Sequence, residues 1–425
     1  KLSNLIPTFK ISDKATLKIG DKVIESGKSE IDVANLKSLT VVAQNLKTNI
    51  YYTNLLLIGL TPNLNVNNNT SYDAYIKNNL SVDLSFAIPT TFLNKAYQTD
   101  SYNARAYGDF DKDGDLDIIA VTSNGYGNSS VDVEYFRNNT FQFNKDQSVF
   151  TGGAPKMLNA KKAIVGDFDK NGWLDVVIAG AGFDRSPFSG EKVKILLNFN
   201  GAFTTKELNL NSEYYGSITA GDVDHDGDLD LFVTTNQSIS KFMINDGKAN
   251  FSWDKDLYPN TLYNKGFFAS ELYDIDNDGY LDLVTAGHEH NGAASTVFFG
   301  NASGTYLTSR SATLAGISGF GVIVDIDFID FDKDGKKDII LTRTGDGKTN
   351  QGYYIGYYIQ LLKNNGKSFT DVTKTTLTNY FNSTAKYINW IRVADIDNDN
   401  DLDIVTDDKM YNLVWTNNNG SFTGK

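Results

Sequence analysis

Three features of the sequence predict an all-β fold, a seven-bladed β-propeller of four-stranded antiparallel blades, six of them with an acidic loop. A nine-residue acidic pattern returns six times, a β-branched run follows each copy, and no helical periodicity runs long enough to matter. The pattern is Asp-x-Asp-x-Asp/Asn-Gly/Asn-x-x-Asp. Its copies begin at Asp109, Asp167, Asp222, Asp274, Asp330 and Asp395, spaced 58, 55, 52, 56 and 65 residues apart.

Each copy sits in the same frame. A short apolar stretch precedes it, such as Ile391-Arg-Val-Ala394, and a run such as Ile118-Ile-Ala-Val121 or Leu231-Phe-Val233 follows. Continuous apolar runs of this length predict strands buried on both faces. A third strand signal follows, as in Val193–Leu197. An Asn/Gly turn such as Asn364-Asn-Gly then leads to a fourth. A repeat of about 55 residues holds such a meander.

Residues 38–425 are expected to form the propeller, with a metal-free first blade. Tyr75–Asn79 matches Tyr135–Asn139, Leu55–Gly59 falls at a buried strand, and the loop Asn45–Asn49 has lost its carboxylates. Residues 1–37 are expected to give an extension over Asp13–Ala34 and a closing outer strand near Ile6–Ile11 for the last blade.

The repeated residues have the chemistry of a calcium loop, because calcium takes six to eight oxygen ligands. Positions one, three and five place oxygens alternately: Asp109, Asp111 and Asp113; Asp167, Asp169 and Asn171; Asp222, Asp224 and Asp226; Asp274, Asp276 and Asp278; Asp330, Asp332 and Asp334; Asp395, Asp397 and Asp399. Position seven offers a backbone carbonyl, at Asp115, Trp173, Asp228, Tyr280, Lys336 and Asp401. Position nine closes the shell with Asp117, Asp175, Asp230, Asp282, Asp338 and Asp403. The closing acid at nine rather than twelve, between strands, excludes an EF-hand. These loops hold 26 of the 52 acidic residues, and six divalent ions would take the net charge from −13 to −1. Extracellular or periplasmic calcium would keep such loops loaded, so a secreted, surface or periplasmic location is expected.

Other classes are excluded. The absence of cysteine removes disulfides and thiolate sites, and the acidic balance argues against nucleic acid. No apolar run is long enough to insert in a membrane. The start at Lys1 without methionine is that expected of a processed segment.

At these residues, and at the Gly-Asp-Phe-Asp openings of Gly108 and Gly166, the sequence resembles the FG-GAP/VCBS repeat family, whose best-known member is the integrin α-subunit propeller. The resemblance implies calcium loops on one face and ligand recognition on the other. That second face would be built from loops carrying Tyr126, Phe183, Asp184, Arg185, His288, His290, Asp346, Tyr353 and Tyr354. Their aromatic, amide and charged mixture suits a glycan or a surface protein.

No catalytic constellation is identified. His225 lies inside the third loop at a non-ligand position, expected to face solvent, and His288-Glu-His290 lacks a third zinc ligand. The expected function is a non-catalytic adhesin or lectin-like module. The alternatives are a polysaccharide lyase or hydrolase on the same scaffold and a structural part of a surface assembly.

Overall fold

The computed structural model describes residues 102–388 apart from 114–116, 124–128, 139–142, 187, 237 and 263–264. It also describes 391–394, 399, 401–406, 413–424 and most of four short strands and a turn between 16 and 52. The expected first-blade elements Leu55–Gly59 and Tyr75–Asn79, the strand near Ile6–Ile11, Tyr126, Asp115, Asp395, Asp397 and Asn400 lie outside the described residues.

The described chain is all-β, with one short α-helix, Thr373–Thr376, and a few 3-10 turns. Each acidic loop joins the first two strands of an antiparallel sheet whose first four strands follow in sequence order, and in the fifth sheet an extra strand, Phe381–Lys386, pairs with the third. The first sheet runs Tyr102–Gly108, Asp117–Ser123, Glu134–Asn138 and Phe143–Lys145. The later sheets repeat it, with first strands Ala160–Gly166, Tyr215–Gly221, Phe267–Tyr273, Val322–Ile329 and Ile391–Ala394. Their second strands start at the ninth-position aspartate and are buried along their whole length in sheets two to five, as the unbroken apolar runs require.

The core lies between sheets. One cluster joins sheets one and two through Ile119, Tyr135, Val165 and Phe203, and another joins two and three through Val177, Ile195, Ile218 and Val233. The series continues with Phe232, Leu283 and Phe298, then Val284, Ile326 and Leu341, then Ile340, Ile404 and Trp415. The glycine before the loop has a packing reason. A Cβ on Gly166 would stand 2.5 Å from Leu229 Cδ1, and one on Gly221 would stand 2.3 Å from Leu281 Cδ1. The eighth residues of loops two to four, Leu174, Leu229 and Leu281, therefore press on the preceding sheet. First strands of successive sheets lie beside one another, and Lys162 of sheet two donates to Glu271 of sheet four at 2.6 Å.

Two expectations change. The sixth sheet takes its fourth strand from Ser421–Gly424, paired with Val414–Asn418 across an Asn-Gly turn, so that place does not fall to the N-terminus. The four described strands between 16 and 52 form a sheet of different connectivity, in which Thr16–Ile19 pairs with both Lys22–Ile24 and Ser38–Val42. The boundary placed at residue 37 cuts through this sheet.

A conserved geometry of asparagines fastens sheet to sheet. At the end of third strands, Asn198 Nδ2 donates to Phe110 O (2.8 Å), Asn245 to Phe168 O (2.8 Å), Asn364 to Ile275 O (3.0 Å) and Asn417 to Phe331 O (3.0 Å). Each bond crosses to the acidic loop of the preceding sheet. Asn364→Ala should cost about 2 kcal/mol in chemical denaturation, because it leaves buried carbonyls unpaired. Exposed Asn365→Ala should stay within about 0.5 kcal/mol of wild type.

Candidate metal centres and the opposite face

In five loops the first, third and ninth aspartates converge. Asp109, Asp111 and Asp117 bring carboxylate oxygens within 4.8 Å of one another, as do Asp167, Asp169 and Asp175, and Asp222, Asp224 and Asp230. Asp274, Asp276 and Asp282, and Asp330, Asp332 and Asp338, do the same. Each triad could hold a metal ion. The buried Oδ1 atoms of Asp222 and Asp330 take no hydrogen bond among the described residues, which fits donors facing a cation.

The ninth aspartate is also the staple of its sheet. One oxygen accepts the N–H of loop position two, at 2.9–3.3 Å in Phe110, Phe168, Val223, Ile275 and Phe331. The other accepts a third-strand N–H at 2.7–2.9 Å from Asn138, Asn198, Asn245, Gly300 and Asn364, and Asp403 accepts Asn417 in the same way. Position-six glycines adopt φ of +85° to +90° and donate to the first aspartate, as Gly172 does to Asp167 at 2.8 Å. The fourth position is left-handed too, at Lys112, Lys170, His225, Asn277 and Lys333, a constraint the pattern does not announce.

Position five stays outside the triads. Asn171, Asp226, Asp278, Asp334 and Asp399 each accept the N–H of position seven at 2.7–3.1 Å. Four position-seven side chains face the previous loop, whereas Lys336 pairs with Asp334 of its own. Lys112 Nζ lies 4.0 Å from the Trp173 ring centroid, Lys170 pairs with Asp228 at 3.5 Å, and Lys333 pairs with Asp401. His225, though exposed, meets Tyr280 edge-to-face at 4.9 Å. Basic side chains sit on third-position carboxylates: Arg137 on Asp111, Lys363 on Asp332 and Lys367 on Asp276.

Burial pushes the ninth carboxyls up, Asp117, Asp175, Asp282 and Asp338 to about 7 and Asp230 to about 8, from an ordinary 3.8. Without metal the fold therefore favours their protonated forms. That stability is fully present below the unfolded value and is lost as pH rises through the folded values. In chelator the unfolding temperature should fall between about pH 5 and pH 8, and calcium should abolish the fall. A flat profile in chelator would overturn this account.

At the opposite end of the sheets the structure assembles a second site. His288 Nε2 lies 3.2 Å from the Tyr354 hydroxyl and 3.5 Å from that of Tyr353. Its ring lies 4.1 Å from Phe268 and 5.2 Å from His290. Tyr214 lies 5.7 Å from Phe268 with the Lys161 amine 5.6 Å from its ring, and Tyr387 lies 5.4 Å from Tyr354. Burial lowers His288 to about 4, with help from His290 and Lys161, and burial lowers Lys161 to about 7. Asp184, raised by burial, acts on Tyr214, so the site has a carboxylate as well.

The remaining predicted residues divide. Phe183 is half-buried, Arg185 is exposed, and Asp346 is buried in its own loop, accepting Lys348 N at 2.8 Å. Neither histidine belongs to a three-ligand metal group among the described residues. Lys161, Tyr214, Phe268 and Tyr387 lie outside the loops that sequence reasoning chose. Glu289 turns inward to fully buried Arg343, meeting it at 2.8 and 3.0 Å, while Arg343 also donates to Gln360, Phe320 O and Ala315 O. This pair fixes the loop that presents both histidines. Arg343→Met should cost about 3 kcal/mol in denaturation by stranding the partly buried Glu289 carboxylate.

Comparison with known proteins follows this geometry. No curated protein sequence matches the chain. Among solved structures, the V. cholerae biofilm matrix protein Bap1 is similar at 16% identity and a TM-score of 0.38, over 63% of this chain and 38% of that one. A humanized mutant of the Chaetomium thermophilum Polycomb Repressive Complex 2 is similar at 7% identity and a TM-score of 0.41, over 74% and 66%. The chain thus spans less than two thirds of either. The model of the FG-GAP-like repeat matches four overlapping stretches, 109–178, 167–233, 222–285 and 274–341. These stretches cover more than half of the sequence and carry the first five acidic loops, and on that ground the chain belongs to the FG-GAP-like repeat family.

Proposed function

We propose that this protein is a calcium-stabilised binding module, of adhesin or lectin-like type, working outside the cytoplasm on a glycan or surface protein. In this reading the six repeat sheets and a seventh, contributed by the chain before residue 102, close into a propeller. Six calcium ions fix its loops, the sixth held by Asp395, Asp397 and Asp403. Support comes from the repeat family, from ligand sets made only of oxygen, and from face-to-face packing of successive sheets.

The observation that carries the recognition role is the aromatic and imidazole cluster at the sheet ends opposite the acidic loops. Side chains from separate sheets converge there on a rigid scaffold, with apolar faces for contact and hydroxyls for orientation. A second reading, a polysaccharide lyase or hydrolase, is favoured by one feature: a neutral His288 beside two tyrosine hydroxyls is a group suited to proton transfer.

Calcium titration of the chelated protein should give six sites, and Asp224→Ala, at an exposed ligand position, should remove one. A glycan array run with calcium and again with chelator should show calcium-dependent binding that Tyr353→Ala weakens. Binding unchanged by Tyr353→Ala and by chelator would overturn the recognition face. Steady release of shortened product would favour the enzyme.

A further inference from the structure

The first strands of sheets two to five share an irregularity that sheet one lacks. Their registers slip between Ala160 and Lys162, Tyr215 and Ser217, Phe267 and Ala269, and Ile323 and Asp325. Each slip leaves one extra residue: Lys161, Gly216, Phe268 and Val324. A bulge bends its strand and re-aims the extra side chain, and bulges concentrate at rims and functional sites. Two of these four residues, Lys161 and Phe268, belong to the cluster with His288, and both lie at the start of their first strands, at the end away from the acidic loops.

The second bulge, in sheet three, is glycine for a reason that completes the arrangement. A Cβ on Gly216 would stand 2.7 Å from Phe267 O and 2.9 Å from Phe268 Cα. Its absence lets the next sheet's bulge come close, so that Tyr214 and Phe268 meet edge-to-face. The result is a shelf of rings, Tyr214, Phe268, Tyr353 and Tyr354, with an amine at one side. Tyr353 is half exposed, and Phe268 and Tyr354 are partly so, which leaves ring surface for a ligand.

We propose that this shelf binds a carboxylate-bearing sugar, its ring against Phe268, Tyr353 and Tyr354 and its carboxylate against the Lys161 amine. The inference rests on the reading that these sheet ends are the recognition face. Sugar C–H faces pack on aromatic rings, and the Tyr353 and Tyr354 hydroxyls are placed to bond sugar hydroxyls. A charged acceptor arriving at a partly desolvated amine makes a hydrogen bond stronger than a neutral one. Burial already disfavours the ammonium at Lys161, and an anion beside it restores that charge. His288 stays neutral near pH 7, so the cationic contribution falls to Lys161, while Asp184 acts on Tyr214 and narrows the positions an anion can take.

The test uses the whole chain with calcium present. Its binding to polygalacturonate is compared with binding to the same polymer after carboxyl reduction, which leaves a neutral chain. Carboxyl reduction and Lys161→Gln should each weaken binding roughly tenfold or more. Lys192→Gln, in an outer groove, should leave binding unchanged, with equal melting temperatures for all three proteins. Comparing the two polymers on the wild-type protein needs no variant to fold. Equal affinity for both would overturn the carboxylate assignment. Failure of both polymers, together with capture of a neutral glycan that Tyr353→Ala weakens, would overturn this inference and keep the recognition face. Polymer binding insensitive to Lys161→Gln and Tyr353→Ala alike would overturn both.

Discussion

The architecture depends on a buried carboxylate with both oxygens committed. The ninth aspartate of each loop opens a strand buried on both faces, and burying an ion there is costly without compensation. Two backbone N–H groups, one from the loop and one from the third strand, supply part of it. A divalent cation among the three converging carboxylates would supply the rest. This arrangement joins three of the four strands of a sheet at one point. A metal there therefore acts on the whole repeat rather than on a surface turn.

From that point the fold propagates sideways. The third-strand asparagine, held by the aspartate through its own N–H, extends its amide to the loop of the preceding sheet. The eighth residue packs on the preceding glycine, and the fourth and seventh positions of successive loops meet as cation and ring, ion pair or crossed rings. Exposed ion pairs of this kind are weak one by one. Their regularity matters more, because each loop's left-handed fourth residue is aimed at its neighbour. Order in one loop thus favours order in the next, which a row of isolated calcium turns would not do.

The sequence made the repeats legible because their ligands are close in the chain. Alternate aspartates and a glycine at fixed offsets report local geometry directly, and the triads at Asp109, Asp167, Asp222, Asp274 and Asp330 follow that expectation. Position five has a second task that the pattern does not announce, since one of its oxygens caps position seven of its own turn. The asparagines read as turn residues, and their bond to another sheet has no local signature. On the opposite face His288, His290, Tyr353 and Tyr354 were visible as chemistry on loops. Lys161 and Phe268 were not, because strand register and not composition turns them into the site. The Lys161-Lys162 pair in an otherwise apolar first strand was the one available signal. Glu289 read only as the residue between two histidines and is the anchor of its loop.

The two ends of the sheets divide the work for a physical reason. At the acidic end the carboxylates are already engaged by the backbone and by neighbouring loops, and little freedom remains for selecting a ligand. At the other end the strands finish in bulges and in loops of unequal length, so side chains can vary without disturbing the aspartate staples. That freedom is useful only if the loop holding it is stiff. Arg343 provides the stiffness, bridging Glu289, Gln360 and two backbone carbonyls beneath the histidines. A fully buried guanidinium would be a poor choice for stability alone, since apolar packing can do as well. Its bond to Glu289, between the two histidines, is accounted for if the demand is for orientation, which is the demand that the proposed recognition face would make.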